Sequence, residues 1–202
     1  MGPKRGLLLT AAGLTLGVTA MDAHAQSFMQ SGGRTTQPVG HYELCQRDRA
    51  ECEQVTPRQA PTELTRTLWA HIVEVNNLVN TMVMPRTDME IWGVEEQWSY
   101  PTNGVGDCED YALEKRRRLM QAGMPAGHLL VTVVRQPNGD GHAVLTVRTS
   151  LGDFVLDNLE PRVLAWHETK YEFLKKQSEQ HSGVWVSIED DRQMLVGSVK
   201  RN

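Results

Sequence analysis

The segment 104–118, GVGDCEDYALEKRRR, sets a single thiol, Cys108, between Asp107 and Glu109, with Asp110 one position further on. A helix is expected to begin here. Asp107 has the character of an N-cap, and Asp110, three residues later, that of its partner in a capping box. Cys108 then falls in the first helical turn, where unpaired backbone N–H groups and the helix dipole favour an anion. Such placement depresses a thiol pKa, and the thiolate is the nucleophile that attack on an amide carbonyl requires. The neighbouring carboxylates oppose this unless something neutralises them. Taken singly, the residues also fit a blander account, with Cys108 as a small buried hydrophobe and the acids as caps.

A thiolate also needs an imidazole to hold the ion pair and protonate the leaving amine. The candidates are His41, His71, His128, His142, His167 and His181. His142 is the best placed, because it follows a Gly-Asp-Gly turn at the start of a strand. Asp157, on the next strand, can orient it. With Leu151 and Gly152 as a two-residue turn, Asp157 faces Thr146 and shares a sheet face with His142. That register leaves it four residues too far along, or about 13 Å, so a longer loop or a bulge must close the gap.

These residues need elements to hold them. Leu64, Leu68, Ile72, Val75 and Val79 recur at helical spacing and predict an amphipathic helix of about five turns, capped by Thr62 and ended by Pro85. Residues 88–103 are irregular and rich in aromatics, and Trp92, Trp98 and Tyr100 are expected to pack over the core. Gly123 and Pro125 stop the cysteine helix, whose Lys115–Arg118 run reads as a solvated flank. The period then changes to two. Strands are expected over 128–136, 142–149 and 153–159, with a fourth over 185–188 and a short helix near 171–177. Helices first and an antiparallel sheet after them make an α+β class.

The chain opens with a basic start at Lys4 and Arg5, an apolar run from Leu7 to Met21, and Ala23-His24-Ala25 in the form of a cleavage site. Residues 1–25 therefore read as a signal peptide. Residues 26–61 read as an N-terminal segment with a loose start over 26–40, and 62–202 as the catalytic domain. Export leads to an oxidising compartment, where cysteines pair. Cys45 and Cys52, seven apart in a polar stretch, are the natural disulfide, contributing roughly 2–3 kcal/mol in the chain-entropy account. Cys108 is then the free thiol. The formal net charge of −4 gives no reason to expect nucleic acid as a partner, and no later segment is apolar enough to span a bilayer.

GDCEDYA, followed by GHAVLTVRT and DFVLDN, resembles the bacterial transglutaminase-like cysteine proteinases, over about Leu64 to Ile188. The resemblance implies a papain-like, transglutaminase-type α+β fold, with Cys108 as nucleophile, His142 as general acid/base and Asp157 as the orienting carboxylate. It also implies calcium, held by Asp107 and Glu109 with Asp110 as a further ligand or only a cap. A bound Ca²⁺ takes carboxylate oxygens and reverses the local field, which accounts for acids around a thiol. Trp98 enters as an oxyanion-hole donor by the same likeness, alongside its packing role. The implied activity is a periplasmic cysteine endopeptidase acting on a protein of the cell envelope, with an inner-membrane regulatory protein left open. The same three residues also suit a transglutaminase or amidotransferase, since the acyl-enzyme half-reaction is shared. An exported calcium-binding interaction module with an inert Cys108 is the reading from another class.

Overall fold

The structure is a computed structural model and describes residues 27–190 together with Gly2. The expected signal peptide lies outside the described residues. Among those described, no helix is long and apolar enough to cross a membrane.

Seven strands form one sheet in the order β1-β9-β8-β4-β5-β6-β7. In the chain they are β1 Gln30–Thr35, β4 Leu129–Arg135, β5 Gly141–Thr149, β6 Gly152–Leu156, β7 Leu164–Ala165, β8 Glu172–Gln177 and β9 Trp185–Glu189. Every pairing in this sheet is antiparallel. The short strands β2 Met84–Pro85 and β3 Val105–Gly106 pair in parallel and bring residue 88 close to the cysteine. The helices are α1 Val39–Arg47, α2 Arg49–Cys52, α3 Arg66–Met82, α4 Asp88–Ile91 and α5 Cys108–Gln121. The α+β transglutaminase-type class expected from the sequence is the one observed.

The main core lies between the helices and the sheet. Ile72, Val75 and Val79 of α3 and Leu113 and Leu119 of α5 meet Leu129, Val131, Leu145 and Val147. Periodicity marked the apolar face of α3 correctly, but its cap is Thr65, whose hydroxyl accepts from the Leu68 N–H at 3.1 Å. Thr62 lies outside the helix, bridged to Thr149 and hydrogen-bonded to His128 Nδ1 at 2.6 Å. A second apolar cluster, including Val134, Val155, Trp166 and Phe173, covers other sheet residues.

Several expectations are corrected. Residues 172–177 form a strand: β8 is hydrogen-bonded to β4 on one side and β9 on the other, and buries Phe173. Sheet pairing overrides the helical propensity of EFLKKQ. The start is not loose throughout, since β1 adds to the sheet edge beside β9. Lys115 and Arg116 are buried. Arg116 is held by Leu129 O at 3.0 Å, Gln54 Oε1 at 2.6 Å and Glu51 Oε2 at 3.2 Å, which ties α5 to the N-terminal segment. Of the three aromatics over 88–103, Trp98 is buried, Tyr100 packs against the core, and Trp92 is exposed. The predicted disulfide is present between Cys45 and Cys52.

Candidate active site

Cys108 is the first residue of α5, with Asp107 in the N-cap position. Neither acid caps the helix as the sequence suggested. Asp107 makes no side-chain cap bond and instead accepts the Asp88 N–H at Oδ2, 3.1 Å away. Asp110 accepts the Ser99 N–H at 2.7 Å and the Ser99 hydroxyl at 3.3 Å. Both carboxylates fasten the 88–99 loop onto the helix start. Gly106 makes room for this, because a Cβ there would lie 2.7 Å from Asp110.

The β5–β6 turn is Ser150-Leu151, one residue earlier than expected. Thr149 pairs with Gly152, and the Thr149 hydroxyl accepts the Leu151 N–H and donates to Gly152 O. The whole ladder shifts by two: Leu145 faces Leu156, which puts Asp157 in register with Val144. Asp157 is then two residues from His142 on the same face, a diagonal neighbour within side-chain reach. The structure joins the two, with His142 Nε2 2.8 Å from Asp157 Oδ1.

Around that pair the polar atoms are well partnered. Asp157 Oδ1 accepts the Leu159 N–H at 2.9 Å, and Oδ2 accepts the Tyr171 hydroxyl at 2.5 Å. Asn80 of α3 donates to the Asp157 carbonyl at 2.8 Å. Burial works against the Asp157 carboxylate, but the bonds to His142 and Tyr171 hold it below the usual carboxylate range. The Tyr171 ring lies 5.5 Å from the imidazole. With Nε2 committed to Asp157, Nδ1 is the nitrogen left for a proton transfer. Burial brings the Lys115 amine down to about 7, with the Asp157 charge pulling the other way.

The thiol lies against the Ala143 N–H, next in the chain to His142, and donates to Glu109 Oε2 at 3.2 Å. Burial and then the Glu109 charge push its pKa well above the ordinary value. Burial and the neighbouring carboxylates thus favour the protonated thiol.

The acids beside the thiol form a pocket. Asp88, Asp107 and Glu109 each offer an oxygen within 4.8 Å of the others. Asp88 Oδ1 and Asp107 Oδ1 are buried and, among the described residues, accept no hydrogen bond. Burial followed by the Asp107 charge pushes Glu109 up to about 9, and burial raises Asp88 and Asp107 as well. Crowded hard oxygens with open lone pairs fit a divalent cation. Asp110 is not one of the three, since its oxygens face Ser99, though burial holds it near 8. Asp88 was missed from the sequence. The available signal was the Thr87–Glu90 capping box, which fixes the first turn of α4 and so the place of Asp88. Trp98 is buried, and its indole N–H donates to Glu96 at 2.6 Å, which commits the group suggested for an oxyanion hole.

The sequence model of the bacterial transglutaminase-like cysteine proteinase family, BTLCP, matches residues 31–193, including the segment with the disulfide. Among solved structures, the chain is similar to LapG of Legionella pneumophila. The likeness is 26% identity over 63% of this chain and 73% of that one, with a TM-score of 0.51. The calcium-bound form of LapG matches at 23% identity over 61% and 72%, with a TM-score of 0.51. The EGTA-treated form matches at 23% over 63% and 74%, with a TM-score of 0.50. A search of curated proteins finds no match.

Proposed function

For a chain that belongs to the bacterial transglutaminase-like cysteine proteinases, and is a cysteine peptidase, we propose a calcium-dependent endopeptidase working through Cys108, His142 and Asp157. The observation that carries this is the His142–Asp157 bond of 2.8 Å beside a thiol that touches Ala143.

His142 Nδ1 takes the Cys108 proton, and Asp157 stabilises the imidazolium at Nε2. The thiolate sulfur attacks the peptide carbonyl carbon, and the carbonyl π pair moves to oxygen. The Cys108 N–H, at the helix start, is placed to receive that charge. When the tetrahedral adduct collapses, the C–N bond breaks and the imidazolium proton goes to the leaving amine. A thioester remains on Cys108. His142 then takes a proton from one water as its oxygen attacks the thioester carbon; the C–S bond breaks, the imidazolium proton returns to the Cys108 sulfur, and the carboxylic acid leaves.

Asp88, Asp107 and Glu109 would hold Ca²⁺. Its charge would offset these carboxylates and favour the Cys108 thiolate, as an activator outside the bond-making steps. The neighbouring LapG structures, calcium-bound and EGTA-treated, support this choice of ion. The substrate is a protein of the cell envelope, reached by export to the periplasm. The disulfide and the signal-like residues 1–25 support that location.

The test is cleavage of envelope proteins by mature enzyme and by Cys108→Ser, with calcium and with chelator. Loss of cleavage in the variant and in chelator is expected. Full activity in excess chelator would remove calcium from the account, and stable incorporation of an added amine in place of hydrolysis would replace endopeptidase with transferase.

A further inference from the structure

The N-terminal segment carries a disulfide and a buried histidine that the proposed reaction does not use. The Cys45–Cys52 bond joins α1 to the end of α2. Its two sulfurs flank one imidazole: Cys45 Sγ is 3.7 Å from His41 Nδ1, and Cys52 Sγ is 3.9 Å from Nε2. His41 is buried, and its ring meets the edges of Trp98 at 5.4 Å and Trp185 at 5.3 Å. The clamp thus reaches Trp98 through a single side chain.

Two further contacts run the same way. A Cβ at Gly40 would lie 2.3 Å from Trp98 Cδ1 and 2.8 Å from Glu96 Cγ, so the α1 backbone rests directly on residues 96–98. Arg47, in the last turn of α1, donates from Nη2 to the Trp98 carbonyl at 2.7 Å. The 96–99 strip in turn holds Asp88 of the pocket and, at the helix start beside it, Asp110. The Gln97 N–H donates to Asp88 Oδ2, the Ser99 N–H to Asp110 Oδ1 at 2.7 Å, and the Asp88 N–H to Asp107 Oδ2 at 3.1 Å. Of the crowded acids, Asp88 is therefore held directly by the strip that α1 contacts, and Asp107 is held one step further on, through the Asp88 backbone.

We infer that α1, clamped by the Cys45–Cys52 disulfide, is the positioning element of the acidic pocket, and that Arg47 is the positioning residue through which it sets Trp98 and the acids behind it. This rests on the reading of that pocket as the calcium site. Outer-shell groups that orient ligating carboxylates typically change metal affinity by about 10–100-fold. The clamp would then link the oxidation state of the N-terminal segment to cation affinity, some way from the thiol that does the chemistry.

The experiment uses the mature protein, Arg47→Ala, Arg47→Lys and the double variant Cys45→Ser/Cys52→Ser. The serine pair avoids a reductant, which would also act on Cys108. Calcium affinity is measured by titration calorimetry, and backbone protection at Gln97 and Ser99 by hydrogen exchange in chelator. Arg47→Ala and the double variant should weaken calcium about tenfold or more. Both should lose protection at Gln97 and Ser99 while β4 and β5 keep theirs, and Arg47→Lys should recover part of the affinity. Unchanged affinity and unchanged protection in Arg47→Ala would overturn the inference, as would an equal loss of protection in β4 and β5. If the wild-type protein takes up no calcium, the calcium reading fails, and the exchange pattern alone decides the positioning role. If the double variant does not fold, the two Arg47 variants decide it.

Discussion

Two polar regions flank Cys108, and they are built in opposite ways. In the His142–Asp157 corner, three donors meet the Asp157 carboxylate and a fourth meets its carbonyl. In the acidic pocket, Asp88, Asp107 and Glu109 crowd together with two buried oxygens lacking hydrogen bonds among the described residues. The first region is completed by the chain's own groups, and its carboxylate stays ionised. The second is electrostatically incomplete, and its carboxyls are driven toward the protonated form. A corner satisfied by its own groups thus contrasts with a cluster of carboxyls whose charges are not offset among the described residues.

The sharpest break in this comparison comes from the corner. His142→Ala should lower kcat by about 10⁴-fold or more, measured on a cleavable peptide, while calcium binding stays near wild type. A comparable loss of calcium affinity would mean that the two regions are not separable.

Chelation should act on the pocket alone. At a hundredfold excess over Kd, calcium should add ~2.7 kcal/mol of stability, or about 5–10 °C in Tm. Thermal scans with calcium and with EGTA check this, and Glu109→Gln should shrink the difference. An identical Tm under both conditions would mean the pocket takes no ion.

Tyr171→Phe removes one charged hydrogen bond from Asp157 and leaves the ring beside His142. The expected cost to stability is about 1.5–3 kcal/mol, accompanied by a fall in kcat with little change in KM. An unchanged kcat would show that the corner is over-determined by its other donors.

A further effect is a slope with pH. The Lys115 amine is brought down to about 7 by burial, so between about 7 and its unfolded value near 10.4 the unfolded chain binds more protons. Stability should therefore rise with pH across that window and level off above it. Lys115→Met should flatten the rise in a series of denaturant melts. A slope that survives the substitution would assign it to another group.

Parts of this site were legible because they are local. Cys108 at a helix start follows from the Asp-Cys-Glu-Asp order and the stop at Gly123. The choice of His142 and Asp157 followed from a turn, two strands and their parity. The distance between them did not, because it depends on which two residues make the β5–β6 turn, and the Thr149 hydroxyl settles that. Asp88 could not be read from spacing, since it reaches the pocket only when residues 88–99 fold back onto α5.

The sequence by itself determined the class of the fold, the apolar face of α3, the pairing of Cys45 with Cys52, and the thiol left free for chemistry. These depend on short-range periodicity, on chain order and on the count of cysteines. Only the tertiary structure decided which acids meet, that Lys115 and Arg116 go inside, and that residues 172–177 extend as a central strand. Each of those depends on what lies across a fold from the residue in question. Burial and pairing with distant partners outweigh local preference there, by energies larger than the propensities written in the segment itself.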